Sequence, residues 1–481
     1  MIIPDTYIVV DIGTGNVRVA AVSPQGQILG VAREDIQYIR DPLYPDALYF
    51  EPETLWQQVL RLTTQAMGNI PGHTVKAITA TSQREGIVLL SADGASLIGL
   101  PNIDHRGREW EHLITNKSRV YQLTGRYPTS LFSALKLVGI RERRPEHWQA
   151  CTSFLSISNW IEYRFSGIAR YEHSQASETL LYDVARQQWS AELCSVFNLN
   201  ASLLPPLIAS GSVLGAVLPE VAQQLQLSAA AAIVAGGGDT QLAIKSTRPA
   251  VDDVVIVSGT TTPIVKITDT YILDEAERTW TSRDIEAGRF VFEANAGVTG
   301  LNYQRLKEIF YPNEDYAVIE KELADNQHTF CMASLGSLLA DEKVSLTRGG
   351  FIFPAPVSHL LTRGSFVWAT MLDIACSIVR NYHILAETAG HHKEYIWACG
   401  GGLQSRMLRQ LIADLTGKQV KIRKAFEQSS AIGGALLCNE ALQRNIGTDD
   451  PAEIIQPAGT AQHQALFAEW EKTRQYFRNI N

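Results

Sequence analysis

Cysteine is scarce and scattered, with six among 481 residues, at Cys151, Cys194, Cys331, Cys376, Cys399 and Cys438. No two stand at C-x-x-C spacing, which argues against a zinc ribbon or a redox pair and leaves buried thiols in a reducing compartment as the expectation. Long apolar runs are missing as well. The most apolar stretch, around Ser228–Ala235, is far short of the roughly 20 residues of a membrane-spanning helix. The opening MIIPDTYIVVDIG has no basic region and is interrupted by Asp5 and Asp11, so it does not read as a signal peptide. Positive charge is in deficit, 42 Lys and Arg against 50 Asp and Glu, for a net charge of −8. That balance argues against nucleic acid or an anionic membrane as the main partner. The 11 histidines show no metal-ligand spacing. These absences place the protein in the cytoplasm.

Two nucleotide motifs are also missing. No G-x-x-x-x-G-K-[ST] occurs, so there is no P-loop. Gly13-Thr14-Gly15-Asn16-Val17-Arg18 fails G-x-G-x-x-G at its last glycine and leads into a β-branched run, not a helix. A dinucleotide site needs the helix N-terminus there.

Apolar residues make up 45% of the chain, which supports buried cores, and the length implies two large domains or three smaller ones. Strand patterns fall at Tyr7–Asp11 and Val17–Val22, a hairpin around Gly13–Asn16, and at Val75–Thr81 and Gly86–Leu90. Helical spacing covers Pro52–Met67, Ser156–Phe165 and Ser365–Ala386. A buried strand at Ala231–Ala235 runs into Gly236-Gly237-Gly238-Asp239. The hairpin pattern restarts at Val254–Val257, Ser258–Thr262 and Ile264–Ile267. The strand Tyr395–Cys399 then runs into Gly400-Gly401-Gly402, followed by a helix over Gln404–Leu415, a strand at Gln419–Ile422 and a helix from Glu427. Two features recur in order: Ile8–Asn16 with Val254–Thr262, and Ile233–Gln241 with Ile396–Ser405. Internal duplication of an α/β unit is the simplest explanation. The division predicted is 1–247, 248–445 and a helical tail over 446–481.

Small residues after a buried strand let the backbone turn tightly and present N–H groups to an anion. One such turn in each half could grip a polyphosphate from both sides of a cleft. Asp11-Ile-Gly13-Thr14-Gly15-Asn16-Val17-Arg18 resembles the first phosphate motif of the actin-like ATPase superfamily, and most closely that of the FGGY carbohydrate kinases. Gly259-Thr260-Thr261 is similar to the second phosphate motif. Gly400–Gly402, with Gln410, Ala413 and Asp414, resembles the adenosine motif, and Glu427 with Ala431–Ala435 the closing helix. The matches run in order from residue 7 to about 440.

The resemblance implies an α/β fold of two duplicated ribonuclease-H-like domains with a cleft between them, ATP and Mg²⁺ as cofactors, and a small sugar-like substrate. It implies Asp239 as the catalytic base, also in contact with substrate, and Asp11 as the Mg²⁺ partner through water. Thr14, Gly15, Asn16, Gly259, Thr260, Thr261, Gly401, Gly402 and Gln404 would hold the nucleotide. Gln83, Arg84 and Glu85, with Asp104 and Arg106, would hold the substrate, since a carboxylate and a guanidinium suit neighbouring hydroxyls. Arg18 could equally add charge at the phosphates or lie on a strand face. By residue chemistry alone, Asp239 suits an exposed base and a helix N-cap equally, and Asp104–Arg106 suit a substrate contact or a local pair. Homodimers are common in the family, but no exposed apolar stripe in this sequence demands one.

Two departures from the family pattern stand out. Asn159 occupies a position where Asp is common, and Phe351-Ile-Phe-Pro354-Ala-Pro356 replaces a segment ending in Gly-Glu-Arg-x-x-Pro. The run Ser82–Leu89, with Asn102-Ile103-Asp104, is similar to that of kinases of the autoinducer quorum signal. The competing reading, a non-catalytic sugar- or nucleotide-binding sensor on the same scaffold, predicts loss of Asp11 or Asp239, and both are present.

Overall fold

The structure is a computed structural model that describes residues 4–68, 70–325, 331–342, 345–446, 451–459 and 461–480. The first sheet is built from β1 (Asp5–Ile12), β2 (Asn16–Val22), β3 (Ile28–Asp35), β4 (Thr74–Ser82) and β5 (Ala232–Gly238). The second uses β6 (Val254–Val257), β7 (Thr261–Thr268), β8 (Phe290–Val298), β9 (Tyr395–Cys399) and β10 (Gln419–Ile422). Both sheets have one topology. The hairpin β1–β2 lies beside β3, and β4 then β5 add in parallel on the other side of β1; β6 to β10 repeat this order. The helices repeat it too. α1 (Pro52–Gly68), α2 (Ile157–Ser166) and α3 (Asp239–Thr247) occupy the same connections as α4 (Arg363–Ala389), α5 (Arg406–Thr416) and α6 (Ser429–Ala441).

The duplication is real, but one of its two expected pairings is corrected. β9 lies next to β6, as β4 lies next to β1, so β9 corresponds to β4 and not to β5. The glycine runs at the end of β5 and after β9 therefore stand at different places in the repeat. Each exists because the backbone passes close to a neighbour. A Cβ on Gly236 would lie 1.8 Å from the Ala80 carbonyl oxygen, and one on Gly400, at φ +101°, would lie 2.3 Å from that of Ser258. Close approach dictates glycine locally and carries no information about strand order. β5 also continues through Gly236–Gly238, past the expected strand end at Ala235.

β1 is buried along seven of its eight residues, as a central strand covered on both faces must be. α1 covers one face with Leu55, Val59 and Leu62. The other face carries α6: Ala431, Ala435 and Cys438 pack on Tyr7, Val9 and Val234. α3 and α6 thus lie between the two sheets, and Lys245 of α3 donates to both carboxylate oxygens of Glu440 on α6, at 2.7 and 2.8 Å. The halves also meet further out, where Trp280 and Phe290 join the first core. The segment expected as a helical tail supplies a strand, Glu453–Ile455, at the edge of the second sheet, and its helix Ala461–Asn479 buries Trp470, whose indole N–H donates to Asp373 at 2.7 Å. Among the described residues no helix is long and apolar enough to cross a membrane.

Candidate active site

A cavity of about 570 Å³ opens between the two sheets at the carboxyl ends of β1, β5, β6 and β9. Its first wall is the β1–β2 turn. Gly13 N–H donates to the Asn16 carbonyl at 2.9 Å, and the Tyr38 hydroxyl donates to the Thr14 carbonyl at 2.8 Å, so Thr14, Gly15 and Asn16 face the cavity on a braced loop. Asp11 and Arg18 are cross-strand partners in this hairpin, and the guanidinium reaches the Asp11 carboxylate at 2.5 Å and Gln428 at 3.0 Å. Arg18 thereby ties the first domain to the loop before α6. Of its two readings, the charged cavity residue fits, since it lines the cavity.

The opposite wall interlocks three small-residue loops. Gly259 N–H donates to the Thr261 carbonyl at 2.9 Å, Gly402 N–H donates to the Ser258 carbonyl at 2.8 Å, and a Cβ on Gly300 would lie 2.1 Å from the Gly259 carbonyl oxygen. Gly259, Thr260 and Thr261 therefore stand beside Gly401, Gly402 and Gln404 on one surface. Ser405 caps α5, accepting from the Leu408 N–H at 3.3 Å.

Asp239 sits on the cavity floor as the first residue of α3. Gly238 holds the N-cap position, so the N-cap role for Asp239 is excluded; its carboxylate accepts from the Thr240 N–H at 2.7 Å. Burial pushes its pKa up to about 6, Arg84 pulls against that rise, and the nearby Asp11 charge adds to it.

The expected substrate residues divide. Arg84 and Glu85 line the cavity, and Glu85 has φ +63°, unusual for a residue with a side chain. Burial, opposed by Arg84 and reinforced by Glu178, pushes Glu85 up to about 8. Gln83, Asp104 and Arg106 do not line the cavity. Gln83 is 1% exposed; it donates to the Gly13 carbonyl at 3.2 Å and accepts from the Asn102 N–H at 2.8 Å, coupling the phosphate turn to the next loop. Arg106 is shut away with Asp104 at 2.8 Å and Asp41 at 3.2 Å, and Asp104 also accepts from the Leu48 N–H at 3.0 Å. Buried Lys136 donates to the Asn102 and Asp104 carbonyls at 3.1 and 2.7 Å. These side chains are buried and bonded to one another and to the backbone, and they brace the loop that presents Asn102. Asn102 itself reaches the cavity and donates to the Thr14 hydroxyl at 3.0 Å.

Sequence reasoning missed Arg33, Gly300, Tyr303, Gln304, Tyr316, Glu320 and Gln428 on the cavity wall. The small pair Thr299-Gly300 ahead of a helix was a usable signal; the others lie on strands and helices with no local pattern. Among the described residues no group of three or more metal-ligating side chains forms a cage. Asp11 and Asp239 on one wall instead suit a largely hydrated Mg²⁺ bound mainly by nucleotide phosphates.

Solved structures share this architecture. Plasmodium falciparum glycerol kinase with ADP superposes with a TM-score of 0.84 at 18% identity, covering 98% of each chain. Ligand-bound xylulose kinase from Lactobacillus acidophilus gives 0.83 at 17% identity, over 99% of this chain and 97% of the other. At that identity they show the fold alone. In sequence, the protein named "Putative sugar kinase YoaC" from Bacillus subtilis (strain 168) is 48% identical over 474 residues, 98% of this chain and 97% of its own length. The autoinducer-2 kinase of Escherichia coli (strain K12) is 26% identical over 452 residues, 89% of this chain and 84% of its own. Residues 6–245 match the N-terminal domain of the FGGY family of carbohydrate kinases and residues 331–442 match its C-terminal domain. With two duplicated actin-like domains around one cleft, the chain belongs to the FGGY family of carbohydrate kinases.

Proposed function

We propose that this kinase transfers the γ-phosphoryl group of ATP directly to a hydroxyl of a small sugar, polyol or sugar-like metabolite, with Asp239 as the base. The observation that carries the reading is that Asp239, Asp11, Arg84, Glu85 and both small-residue turns line one cavity. Phosphoryl transfer asks for positioning and charge neutralisation more than covalent chemistry. The Thr14–Asn16 and Gly259–Thr261 turns line the cavity, one from each domain. Asp239, held near pKa 6, is ionised at neutral pH and basic enough to take a hydroxyl proton. The acceptor oxygen bonds to the γ-phosphorus as the bond to the β,γ-bridging oxygen breaks; the proton goes to Asp239 and ADP leaves. A Mg²⁺ bound with the nucleotide would be held by Asp11 through water and would neutralise phosphate charge.

Arg84, Glu85 and Asn102 mark the acceptor end, where both donors and acceptors for hydroxyls converge. Candidate acceptors are pentoses, ketoses, deoxy-sugars, polyols and an autoinducer-type signal molecule. ADP release with Mg-ATP over a panel of these compounds tests the reading, with Asp239→Asn as control. Saturable activity on one compound, absent from the variant, supports it. Nucleotide binding without turnover on any compound favours the sensor.

A further inference from the structure

Beyond the glycine loop at Gly400–Gly402 the cavity ends between two helices, Gly300–Phe310 and Tyr316–Asp325. Tyr303 and Tyr316 lie there with ring centroids 5.4 Å apart and planes tilted by 50°, two aromatic rings that offer apolar packing to a heterocycle. Glu320 lies on the same wall. One of its carboxylate oxygens, Oε2, accepts from the Arg406 backbone N–H at 3.0 Å, in the first turn of α5. That bond fixes the side chain, and a carboxylate oxygen accepts hydrogen bonds. The other oxygen, Oε1, and the Tyr303 hydroxyl are both shielded from solvent and have no hydrogen-bond partner among the described residues. A buried polar group left unpaired forfeits its hydration with nothing in return. Two orphans at one end of one cavity point to a ligand that brings a donor for the carboxylate and a partner for the hydroxyl.

We infer that Glu320 and Tyr303 read the nucleobase: Glu320 Oε1 accepts from the exocyclic 6-amino group of adenine, and the Tyr303 hydroxyl donates to a ring nitrogen. The inference rests on the reading of this cleft as the ATP site. It deepens that reading by giving the preference for adenine a physical source. The 6-oxo group of guanine is an acceptor and would face the carboxylate with no hydrogen between them. Guanine reaches Glu320 only through its N1–H and 2-amino edge, which requires the base to turn in the site.

Calorimetric titration of the full chain with ADP and GDP, without sugar, tests this in the wild type, Glu320→Gln and Tyr303→Phe. The glutamine in Glu320→Gln would keep an acceptor for the Arg406 N–H and lose the charge, so the fold is preserved. The wild type should bind ADP about tenfold or more tighter than GDP, as one hydrogen bond to a charged group is enough to give. Glu320→Gln should narrow that ratio by about tenfold, and Tyr303→Phe should weaken ADP roughly threefold to tenfold. Tight ADP binding with the ADP-to-GDP ratio unchanged within about twofold in both variants overturns this assignment and leaves the kinase reading intact. A wild type that binds neither nucleotide overturns both.

Discussion

Arg84 of the first domain holds Glu293 of the second through two N–H donors, at 2.6 and 3.1 Å, with both side chains buried. Arg84 belongs to the loop expected to meet the substrate, and Glu293 to β8 across the cleft. The same guanidinium lies 3.9 Å from Glu178, pulls on the Asp239 carboxyl, and sits over the Trp280 ring at 5.9 Å to its centroid. One side chain therefore links the contact between the domains to the proposed acceptor end and to the proposed base. Burial alone would push Glu293 up; Arg84, helped by Arg126 and Asn295, holds the carboxyl below its ordinary range.

Glu293→Ala should be severely destabilising, because it strands the Arg84 charge in a buried setting. Breaking one side of such a pair costs about 3–5 kcal/mol. Glu293→Gln keeps the shape and one acceptor, so it should fold, with a raised KM for the sugar and a smaller change in ADP affinity. Thermal unfolding of both variants and steady-state kinetics of the second check this. An unchanged melting temperature in Glu293→Ala would show that the domains close without the pair.

With its pKa pushed up to about 6, Asp239 should give kcat/KM an acid limb near pH 6, activity falling as the carboxylate is protonated below it. Asp11 raises that pKa by repulsion, so Asp11→Asn should move the limb to lower pH. Arg84 lowers it, so Arg84→Gln should move it to higher pH, whatever either change does to the maximal rate. Asp239→Asn should bind ADP normally and lose about 10²–10⁴ in turnover. pH–rate profiles of the three single variants decide it. A limb that stays in place in both Asp11→Asn and Arg84→Gln would assign it to another group.

Most strands and the hairpin turns were legible in the sequence because each depends on a local rule. β9 and β10 fall at the expected Tyr395–Cys399 and Gln419–Ile422, since short runs rich in aromatic and β-branched residues, ended by glycine or a charged turn, have few alternatives. The phosphate turns are legible for the same reason. What depends on distant partners was not. Asp104 and Arg106 have the chemistry of a sugar contact and equally that of a buried brace; the deciding residue, Asp41, lies 65 positions from Arg106. Arg84 and Glu293 are 209 positions apart. Glu320 and Tyr303 lie on helices whose pattern reports only which face is buried.

Asn159, one of the two departures from the family pattern noted in the sequence, has a physical account. Its amide N–H₂ donates to Glu162 at 2.9 Å, and its carbonyl accepts from the Glu172 N–H at 2.9 Å. Burial pushes Glu162 up to about 8, opposed by bonds from the Gly236 N–H and from Asn159. Asn159→Asp would remove a donor and set a second carboxyl against Glu162, at a cost of about 1–3 kcal/mol. The raised carboxyl also sets a pH dependence. Its stabilising contribution is complete below the unfolded value near 4.5 and is lost as pH rises through 8. Melting temperatures should therefore fall between pH 6 and 8, more steeply in Asn159→Asp and less steeply in Glu162→Gln. Parallel curves for all three proteins would remove Glu162 as the titrating group.

The crossing of α3 and α6 depends on Gly433. A Cβ there would lie 1.9 Å from the Leu242 carbonyl oxygen and 2.7 Å from its carbon, both backbone atoms of α3. A side chain tip could move aside, but a helix backbone cannot without shifting the whole helix. Gly434 is constrained by Val9 instead, whose methyls stand 2.7 and 3.0 Å from the added atom and can rotate. Because α3 begins at Asp239 and α6 follows Gln428, which Arg18 binds, a shift of one helix against the other is felt on both walls of the cavity. Gly433→Ala should therefore lower stability by about 1–3 kcal/mol or more and reduce kcat/KM, while Gly434→Ala should be milder in both. Thermal unfolding gives the first quantity and steady-state kinetics the second. Equal effects of the two substitutions would mean that the helix pair yields as easily as a valine side chain, and that its spacing does not set the alignment of the cleft.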